Sequence, residues 1–344
     1  MSFPEACEIQ ALACDALGSP FTAKLLRCVA ANLRPGSAIA DRLLKWPGDL
    51  TPSGQSVPLR LAGSLHALVI DGSAPALAAL YPPHEPTDAA LWQAVRSAIE
   101  HHAPRLDTWL DQAPQTNEVA RSAALIAAGH WLHARFKLPF VLSELGASAG
   151  LNLFWDHYAL GLPDHTARGP ADAVLTLDPE WRGPMPPQSA PVIAARRGVD
   201  LNPLSPAEPS DRLRLEAYVW ADQSHRRQRL DAALTIARPM VDRASAADWL
   251  ETRLAETTPG HLHLIFHTVA WQYFPSSEQR RAQKLIETAG DAAKTSTPLA
   301  WLRMEADDAT PGAGLSVRLW PGDETIALGR VDFHGRWLDW SNGD

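Results

Sequence analysis

After residue 136 the sequence alternates short apolar runs with helical segments, and this alternation constrains the fold more than any other feature. The runs Pro139–Leu145 and His261–His267 are short, apolar and bounded by turn residues, which is typical of buried strands. Weaker runs near 191–196 and 240–242 fit the same pattern, and 298–305, 315–320 and 325–340 are predicted as closing strands. Strands joined by helical crossovers form parallel sheets that helices cover on both faces. The sequence therefore predicts an α/β fold with a mostly parallel sheet, closed by antiparallel strands within 315–340.

Residues 1–136 carry helical patterns only. Ser2 and Glu5 have the spacing of a capping box. The apolar residues of 20–33 recur at intervals of three and four, which places them on one face of a helix. Two domains are predicted: a helical N-terminal domain over 1–136, and an α/β domain over 137–344 with a Pro-rich insertion at about 161–190.

Charge and composition exclude several classes of protein. The 344 residues include 31 Lys and Arg against 39 Asp and Glu, a formal net charge of −8 without long blocks of like charge, so no nucleic-acid-binding arm is expected. No apolar run reaches the roughly 18 residues that a membrane-spanning helix needs. The N-terminus lacks a signal-peptide pattern, and three cysteines provide no disulfide framework. We expect a cytoplasmic protein whose partner is a small-molecule substrate, with no nucleic acid and no membrane.

The stretch Ser143–Asn152, with the letters SELGASAGLN, lies where a predicted strand ends and a helix begins. Residues with little side-chain bulk let a ligand approach the backbone there, and the N-terminus of the helix offers N–H groups. Ligands of open parallel sheets bind at the carboxyl ends of strands, near the point where the strand order reverses. The sequence therefore predicts a ligand site at this turn, which we call the glycine turn.

Two chemistries fit the glycine turn. Glu144, Gly146, Ser148 and Gly150 follow the acidic-x-Gly-x-Gly-x-Gly pattern of a nucleotide-like cofactor site, with Ser at the middle glycine. The letters G-x-S-x-G also describe a nucleophile elbow, in which Ser148 attacks with Asp242 and His267 downstream. The cofactor site is favoured, because the turn follows the first predicted strand, whereas a hydrolase elbow follows several strands that also build an oxyanion loop. A turn with a purely structural role is the third alternative.

The pattern of residues 137–344 resembles the class I S-adenosylmethionine-dependent methyltransferases. The resemblance implies a Rossmann-like sheet of the methyltransferase type and S-adenosylmethionine as the cofactor. It implies that the glycine turn holds the methionine part, that an acidic residue after the second strand binds the ribose, and that another after the third strand lies near the adenine. Carried onto this sequence, the implied cofactor-binding residues are Glu144, Gly146, Ser148, Gly150, Asn152, Asp200 and Asp242.

The whole chain is also similar to a bacterial family known as domain of unknown function 2332. Five pieces in order carry this resemblance, over 115–121, 144–152, 198–203, 218–223 and 267–273. The family implies no particular activity, so this resemblance bears on the layout of the chain rather than on its chemistry.

Several polar and aromatic residues are predicted to face a substrate. Asn117 and Glu118 open a helix near the predicted domain boundary, and pockets favour the interfaces between domains. Trp271 and Tyr273, just past a strand, are expected to stack on a flat substrate. His267 and Glu118 are the candidate catalytic residues, because either could accept a proton.

No metal site is expected. His261 and His263 share a strand face with His267, but they lie at the start of the strand, far from its ligand-binding end.

The sequence thus yields a functional hypothesis with two alternatives. The hypothesis is an S-adenosylmethionine-dependent methyltransferase whose small acceptor binds between the two domains. The alternatives are a serine hydrolase that uses Ser148 in the G-x-S-x-G elbow, and a non-catalytic ligand-binding protein that retains the fold.

Overall fold

The structure is a computed structural model that describes residues 1–52 and 54–343. The chain divides into two compact units. One comprises Met1–Thr116 and Glu208–Gln228, and the other comprises Asn117–Ala207 and the residues from Arg229 onward. The helix Ser122–Phe136, which the sequence analysis placed in the N-terminal domain, belongs to the second of these units.

The helices and strands are numbered along the chain. The helices are α1 (Phe3–Ala16), α2 (Pro20–Asn32), α3 (Ala38–Leu44), α4 (Val57–Ile70), α5 (Pro75–Ala78), α6 (Asp88–His101), α7 (Ala103–Leu110), α8 (Ser122–Phe136), α9 (Pro209–Ala217), α10 (Ser224–Ile236), α11 (Ala246–Arg253) and α12 (Ser276–Asp291). The strands are β1 (Phe140–Leu145), β2 (Ala159–Gly161), β3 (Ala167–Arg168), β4 (Thr176–Leu177), β5 (Glu180–Arg182), β6 (Ile193–Asp200), β7 (Val241–Arg243), β8 (Leu262–Thr268), β9 (Leu299–Glu305), β10 (Ala313–Trp320), β11 (Glu324–Val331) and β12 (Trp337–Trp340).

The first unit is helical and has its own apolar core, which α1, α2, α4 and α6 supply with most of its buried side chains. The predicted capping box starts α1: the Glu5 N–H donates to Ser2 Oγ, and the Ser2 N–H donates to Glu5 Oε2 at 2.7 Å. The inserted segment 208–228 is anchored by Asp222, whose carboxylate accepts from Ser19 Oγ (2.5 Å) and the Phe21 N–H (2.8 Å) at the start of α2.

The second unit contains a nine-stranded sheet in the order β5-β12-β11-β10-β9-β8-β1-β6-β7. The five strands from β9 to β7 pair in parallel, and β10 pairs antiparallel with both β9 and β11. All six residues of β1 are buried, as expected for a central strand that is covered on both faces. The predicted α/β class, with a mostly parallel sheet, antiparallel closing strands and a helical N-terminal region, is confirmed.

The Pro-rich insertion contains short strands that the sequence did not reveal. The segment 161–190 was predicted as a loop, but it contains three short strands. Of these, β3 and β4 flank β2 in a three-stranded sheet, and β5 extends the edge of the large sheet beside β12. These strands are two or three residues long, so they show no alternating pattern that a sequence could display.

Three further findings concern the cysteines, membrane-spanning helices and metal-binding groups. Cys7, Cys14 and Cys28 are free and buried. Among residues 1–52 and 54–343, no helix combines the length and apolar character that a membrane span requires. Within the same residues, no group of three or more His, Cys, Asp or Glu side chains is arranged to hold a metal ion.

Close packing holds α8 against the segment Leu151–His157, a 3-10 turn that follows the glycine turn. Gly129 of α8 faces the six-membered ring of Trp155, and a Cβ at position 129 would collide with that ring. Trp155 is fully buried, so its indole has no free space into which it could move. Gly129 therefore sets the distance between α8 and the residues next to the glycine turn.

We expect Gly129→Ala to destabilise the protein. Alanine is favoured over glycine in a helix by about 1 kcal/mol, but overpacking a rigid core costs about 1–3 kcal/mol, so a net loss of about 1 kcal/mol is expected. Urea unfolding of the two proteins measures this difference. In a Trp155→Phe background, which lacks the second ring, the loss should shrink. An equal loss in both backgrounds would show that Trp155 is not the cause.

Candidate functional site

The strand order of the large sheet reverses next to β1. Along the chain, β1 is followed by β6 and β7 on one side, and then by β8 and β9 on the other. The connections from β1 and β8 therefore leave the sheet in opposite directions at their carboxyl ends, which is where open α/β sheets bind ligands. Glu144 of β1, Asp200 of β6 and Thr268 of β8 are at or next to these ends.

The glycine turn is held by the end of β6. The N–H groups of Gly146 and Ala147 both donate to the Val199 carbonyl oxygen, at 2.9 and 3.0 Å. The Ser148 N–H donates to Asp200 Oδ2 at 2.8 Å. Gly146, Ser148 and Gly150 all have positive φ, at 68°, 54° and 73°, a backbone conformation that glycine adopts without strain. The glycines therefore permit the path of the turn, and β6 determines it.

Two amides secure the second half of the turn. The Leu151 N–H donates to Asn117 Oδ1 at 2.9 Å. Asn152, which is buried, accepts at Oδ1 from Ser122 Oγ at 2.7 Å and so ties the turn to α8. Asn117 and Asn152 thus position the backbone of the turn, and the structure brings both to the predicted site.

Glu144 is a buried carboxyl group with unused hydrogen-bonding capacity. It is 2% exposed, and its Oε2 has no hydrogen-bond partner within the described residues. Burial raises the pKa of Glu144 well above its ordinary value, the nearby carboxylate of Asp200 raises it further, and Arg121 opposes the shift. A buried polar atom that the protein leaves unsatisfied at the ligand-binding end of a sheet marks a candidate ligand contact.

Asp200 combines two functions at the end of β6. One carboxylate oxygen accepts from the Ser148 N–H, and the other accepts from the Asn202 N–H at 2.8 Å. In the sheet Glu144 pairs with Gly198, and a Cβ at position 198 would stand 2.7 Å from the Cβ of Ala147. Gly198 therefore lets the glycine turn pack directly on β6, close to both carboxyl groups.

The segment after β8 packs on the other side of the glycine turn. A Cβ at Gly146 would stand 2.6 Å from the Cβ of Ala270. Val269, one residue earlier, has a φ of 53°, which is a strained conformation for a β-branched residue. Backbone strain of this kind persists only where the surrounding structure enforces it, and it clusters at functional sites.

Both ring nitrogens of His267 form hydrogen bonds within the protein. Its Nε2 accepts from the Trp301 indole N–H at 3.1 Å, so the proton resides on Nδ1, which donates to Glu305 Oε1 at 2.6 Å. Because Phe266 pairs with Glu144 in the sheet, His267 points to the opposite face from Glu144. The structure therefore separates the candidate base His267 from the carboxyl group at the glycine turn.

Glu305 anchors the segment after β8. Its Oε1 also accepts from the backbone N–H groups of Ala270 (2.9 Å) and Trp271 (3.2 Å). Burial opposes ionisation of this side chain, but the hydrogen bonds from His267 and from these two N–H groups outweigh it and lower the pKa of Glu305. Glu305 is thus an ionised carboxylate that determines where residues 270–271 lie.

The predicted stacking residues differ in their surroundings. Trp271 is partly buried and stacks on the His267 ring at a centroid distance of 4.9 Å, with Trp301 at 5.5 Å. Tyr273 is 61% exposed. The structure therefore places Trp271 in an aromatic cluster and leaves the face of Tyr273 accessible.

Glu118 and Asp242 each contact cationic side chains. Glu118 is buried, accepts from the Ala120 N–H, and lies 3.6 Å from the Arg229 guanidinium. Asp242 accepts from Arg197 at 2.9 Å and from the Trp249 indole at 2.9 Å. The hydrogen bond from Arg197 is the main reason why the pKa of Asp242 is lowered.

The arrangement does not assemble a nucleophile at Ser148. Its hydroxyl is buried and has no hydrogen-bond partner within residues 1–52 and 54–343. The acid and base that the hydrolase hypothesis requires, Asp242 and His267, are bonded elsewhere. In addition, β1 is the first strand of the large sheet along the chain, so no earlier strand of that sheet can supply an oxyanion loop.

Sequence reasoning did not assign roles to Arg121 and Glu305. Arg121 donates from Nη1 to the Thr268 carbonyl oxygen (3.0 Å) and from Nε to that of Phe333 (2.9 Å), and its charge acts on Glu144. The polar run 115–121 was a signal for Arg121, and an acidic residue at the carboxyl end of a predicted strand was a signal for Glu305.

Together these features define a class: an α/β protein with a doubly wound parallel sheet and an acidic candidate ligand site at the point where the strand order reverses. The chain belongs to the family of domain of unknown function 2332, described as an uncharacterized protein conserved in bacteria, whose model matches residues 4–340. Comparisons with the curated proteins and with the solved structures find no match.

We expect Glu144→Gln to stabilise the protein at alkaline pH. When folding raises the pKa of an acid, the protein loses stability as the pH rises above the unfolded value, near 4.5, because the unfolded chain then releases a proton that the buried group retains. The variant lacks this penalty, so its free energy of unfolding should exceed that of the wild type at pH 8 and match it near pH 4.5.

Urea unfolding at both pH values measures the effect, and Glu85→Gln, at an exposed position, is the control. If the difference between Glu144→Gln and the wild type is the same at both pH values, then ionisation of Glu144 does not limit stability.

Replacement of Glu305 by Gln should have the opposite pH dependence. The folded pKa of Glu305 is lowered, so its stabilising contribution is complete above pH 4.5 and is lost as the pH falls through the folded value. We expect Glu305→Gln to lower the free energy of unfolding by roughly 1–3 kcal/mol at pH 7, the range for hydrogen bonds to a charged group. Chemical unfolding from pH 7 downward should show the deficit shrinking below pH 4.5. A deficit independent of pH would mean that the charge is irrelevant.

Proposed function

We propose that this chain binds S-adenosylmethionine at the glycine turn and transfers its methyl group to a small acceptor. The observation that carries the proposal is the pair of acidic side chains at the carboxyl ends of the first two parallel strands: Glu144, with its unsatisfied Oε2, and Asp200. Two neighbouring carboxyl groups, of which Asp200 accepts backbone N–H bonds and Glu144 is buried with a raised pKa, favour a ligand with positive groups and hydroxyls. S-adenosylmethionine has an ammonium, a sulfonium and two ribose hydroxyls.

The residues present fit this cofactor in three respects. The Glu144 carboxyl group can accept hydrogen bonds from an ammonium, and such a ligand would satisfy its Oε2. Asp200 stands at the end of the second parallel strand, where the resemblance requires an acid for the ribose. The N–H groups of Gly146, Ala147 and Ser148 are used within the protein, so the turn is not a phosphate cradle, and the cofactor has no phosphate.

The roles of the other predicted residues are indirect in this proposal. Asn117 and Asn152 hold the backbone of the turn, and Asp242 acts through Arg197 and Trp249. Gly146 and Gly150 provide the backbone conformation, and Ser148 contributes a buried hydroxyl beside Asp200. Tyr273, with its exposed ring, remains the proposed contact for the acceptor.

Methyl transfer requires the protein mainly to position the two reactants. The cofactor supplies an activated methyl group, and its transfer is an in-line displacement that depends on holding two reactants in contact. A base is required only if the acceptor must lose a proton during the attack. His267 and Glu118 are both bonded within the protein, so the proposal favours an acceptor that is already a nucleophile.

A non-catalytic ligand-binding protein is the second candidate. Both candidate bases, His267 and Glu118, contact other side chains of the protein. This favours a non-catalytic protein, because ligand binding alone requires no base. A serine hydrolase is not proposed, because the required partners of Ser148 are bonded elsewhere.

Titration calorimetry tests the proposal. We expect S-adenosylmethionine and its demethylated product to bind, and Glu144→Gln or Asp200→Asn to weaken binding at least tenfold, since each removes a carboxyl group that can pair with a positive group or a hydroxyl of the ligand. Glu85→Gln should bind as the wild type does. No heat at millimolar ligand with a folded protein would refute the proposal. Binding without turnover over a panel of acceptors would favour the non-catalytic candidate, and labelling of Ser148 by a fluorophosphonate would revive the hydrolase.

A further inference from the structure

A cavity lies within the same unit, on the face of the sheet opposite to Glu144. This cleft of about 660 Å³ is lined by residues of α11 and α12, by the connections that follow these helices, and by the amino ends of β1, β8 and β9. We call it the α11–α12 cleft. Its volume is in the range of roughly 300–1,000 Å³ that small-molecule sites occupy.

The cleft is distinct from the candidate site at the glycine turn. Leu145 and Ile265 pack with α11 and α12, so residues two positions earlier on the same strands, Ser143 and His263, share this face of the sheet. Glu144 lies between Ser143 and Leu145 and therefore points to the opposite face. The cleft is also at the amino ends of the strands, whereas the glycine turn follows a carboxyl end.

One cation in the cleft has no carboxylate partner. Arg253 donates from Nε to Ser143 Oγ at 2.9 Å and from Nη2 to the Leu142 carbonyl oxygen at 3.2 Å, and it forms no ion pair with the described residues. Burial lowers the pKa of Arg253 and the neighbouring Arg197 lowers it further, whereas the more distant charges of Asp242 and Glu256 oppose the shift without an ion pair. No hydrogen bond of the described residues uses Nη1, so the guanidinium offers that nitrogen to the cleft.

A second donor lines the cleft beside Arg253. Ser143 Oγ receives the Arg253 N–H, and in one tautomer of His263 it donates its own proton to His263 Nε2, at 2.8 Å. Burial lowers the pKa of His263 to about 3, so the ring is neutral at pH 7. A neutral imidazole that accepts at Nε2 has its proton on Nδ1, which is then a donor. Arg253 and His263 thus present one positive charge and two kinds of N–H group.

The other walls of the cleft are apolar, carry threonine or histidine side chains, or have acidic groups that are already neutralised or exposed. Leu254, Ala289, Ala293 and Leu299 contribute apolar surface. The acidic residues Asp242 and Asp248 are bonded to Arg197 and Arg281, and Glu256 is exposed at the edge, where water screens its charge.

We propose that the α11–α12 cleft binds a small organic monocarboxylate. The carboxylate accepts hydrogen bonds from Arg253 and His263, and the hydrocarbon part lies against Leu254, Ala289 and Leu299. A carboxylate fits because two acceptor oxygens meet a planar guanidinium and an imidazole N–H, and because the apolar wall requires a hydrophobic body.

Calorimetry with the full chain and octanoate tests this site, with 1-octanol and octylamine as matched ligands of neutral and positive charge. We expect octanoate to bind, and the two others to bind at least tenfold more weakly. Arg253→Met should weaken octanoate binding at least tenfold, whereas Arg280→Met, at an exposed position on α12, should leave it unchanged.

A second variant covers the case in which Arg253→Met fails to fold. Ala289→Trp keeps the charges and fills the cleft, so it should abolish octanoate binding. The proposal is overturned if 1-octanol binds as tightly as octanoate, if no octanoate binds at millimolar concentration, or if folded Ala289→Trp retains full affinity.

Discussion

The attachment of the glycine turn to the end of β6 is the constraint on which the rest of the site depends. Two N–H groups of the turn share the Val199 carbonyl oxygen, and a third donates to Asp200. This attachment needs a β6 without a side chain at Gly198, because Ala147 occupies that space. It brings the carboxyl group of Asp200 toward Glu144 and makes this end of the sheet acidic. The residues that the sequence presents as a ligand-binding loop thus also connect the end of β1 to the end of β6 through hydrogen bonds.

Electrostatics divides the site residues into two groups. Asp242 and Glu305 have lowered pKa values because arginine, histidine or backbone N–H groups donate hydrogen bonds to them, although Glu305 Oε2 has no partner within the described residues. Glu144 has a raised pKa because it is buried next to a second carboxylate and has little compensation. The first group stabilises the structure around the site, whereas Glu144 costs stability at neutral pH. Burial of Glu144 destabilises the folded protein, and contacts within the protein do not fully compensate for it. Function is best inferred from a group of this kind.

The fold was more predictable than the site. The strands around Leu142 and Ile265 were predicted to within one residue at each end, because central strands are apolar and bounded by turns. The short strands within 161–190 were missed, since two or three residues carry no period. For the site, Glu144, Asp200 and Asn117 were proposed from their positions in motifs, and the structure places all three at the glycine turn. The hydrogen bonds of His267 to Glu305 and Trp301 could not be predicted, because these partners lie more than thirty residues away in the sequence.

The sequence by itself determined the family, the α/β class, the helical N-terminal region and the position of the glycine turn, because periodicity, turn residues and local motifs are properties of neighbouring positions. Only the tertiary structure decided which polar groups are satisfied. The sequence marked Glu144 as a cofactor contact and His267 as a candidate base, but Glu144 has an oxygen without a partner and His267 has both ring nitrogens bonded. That difference arises from residues brought together by strand order, and the pairing of strands is a long-range property that local patterns do not encode.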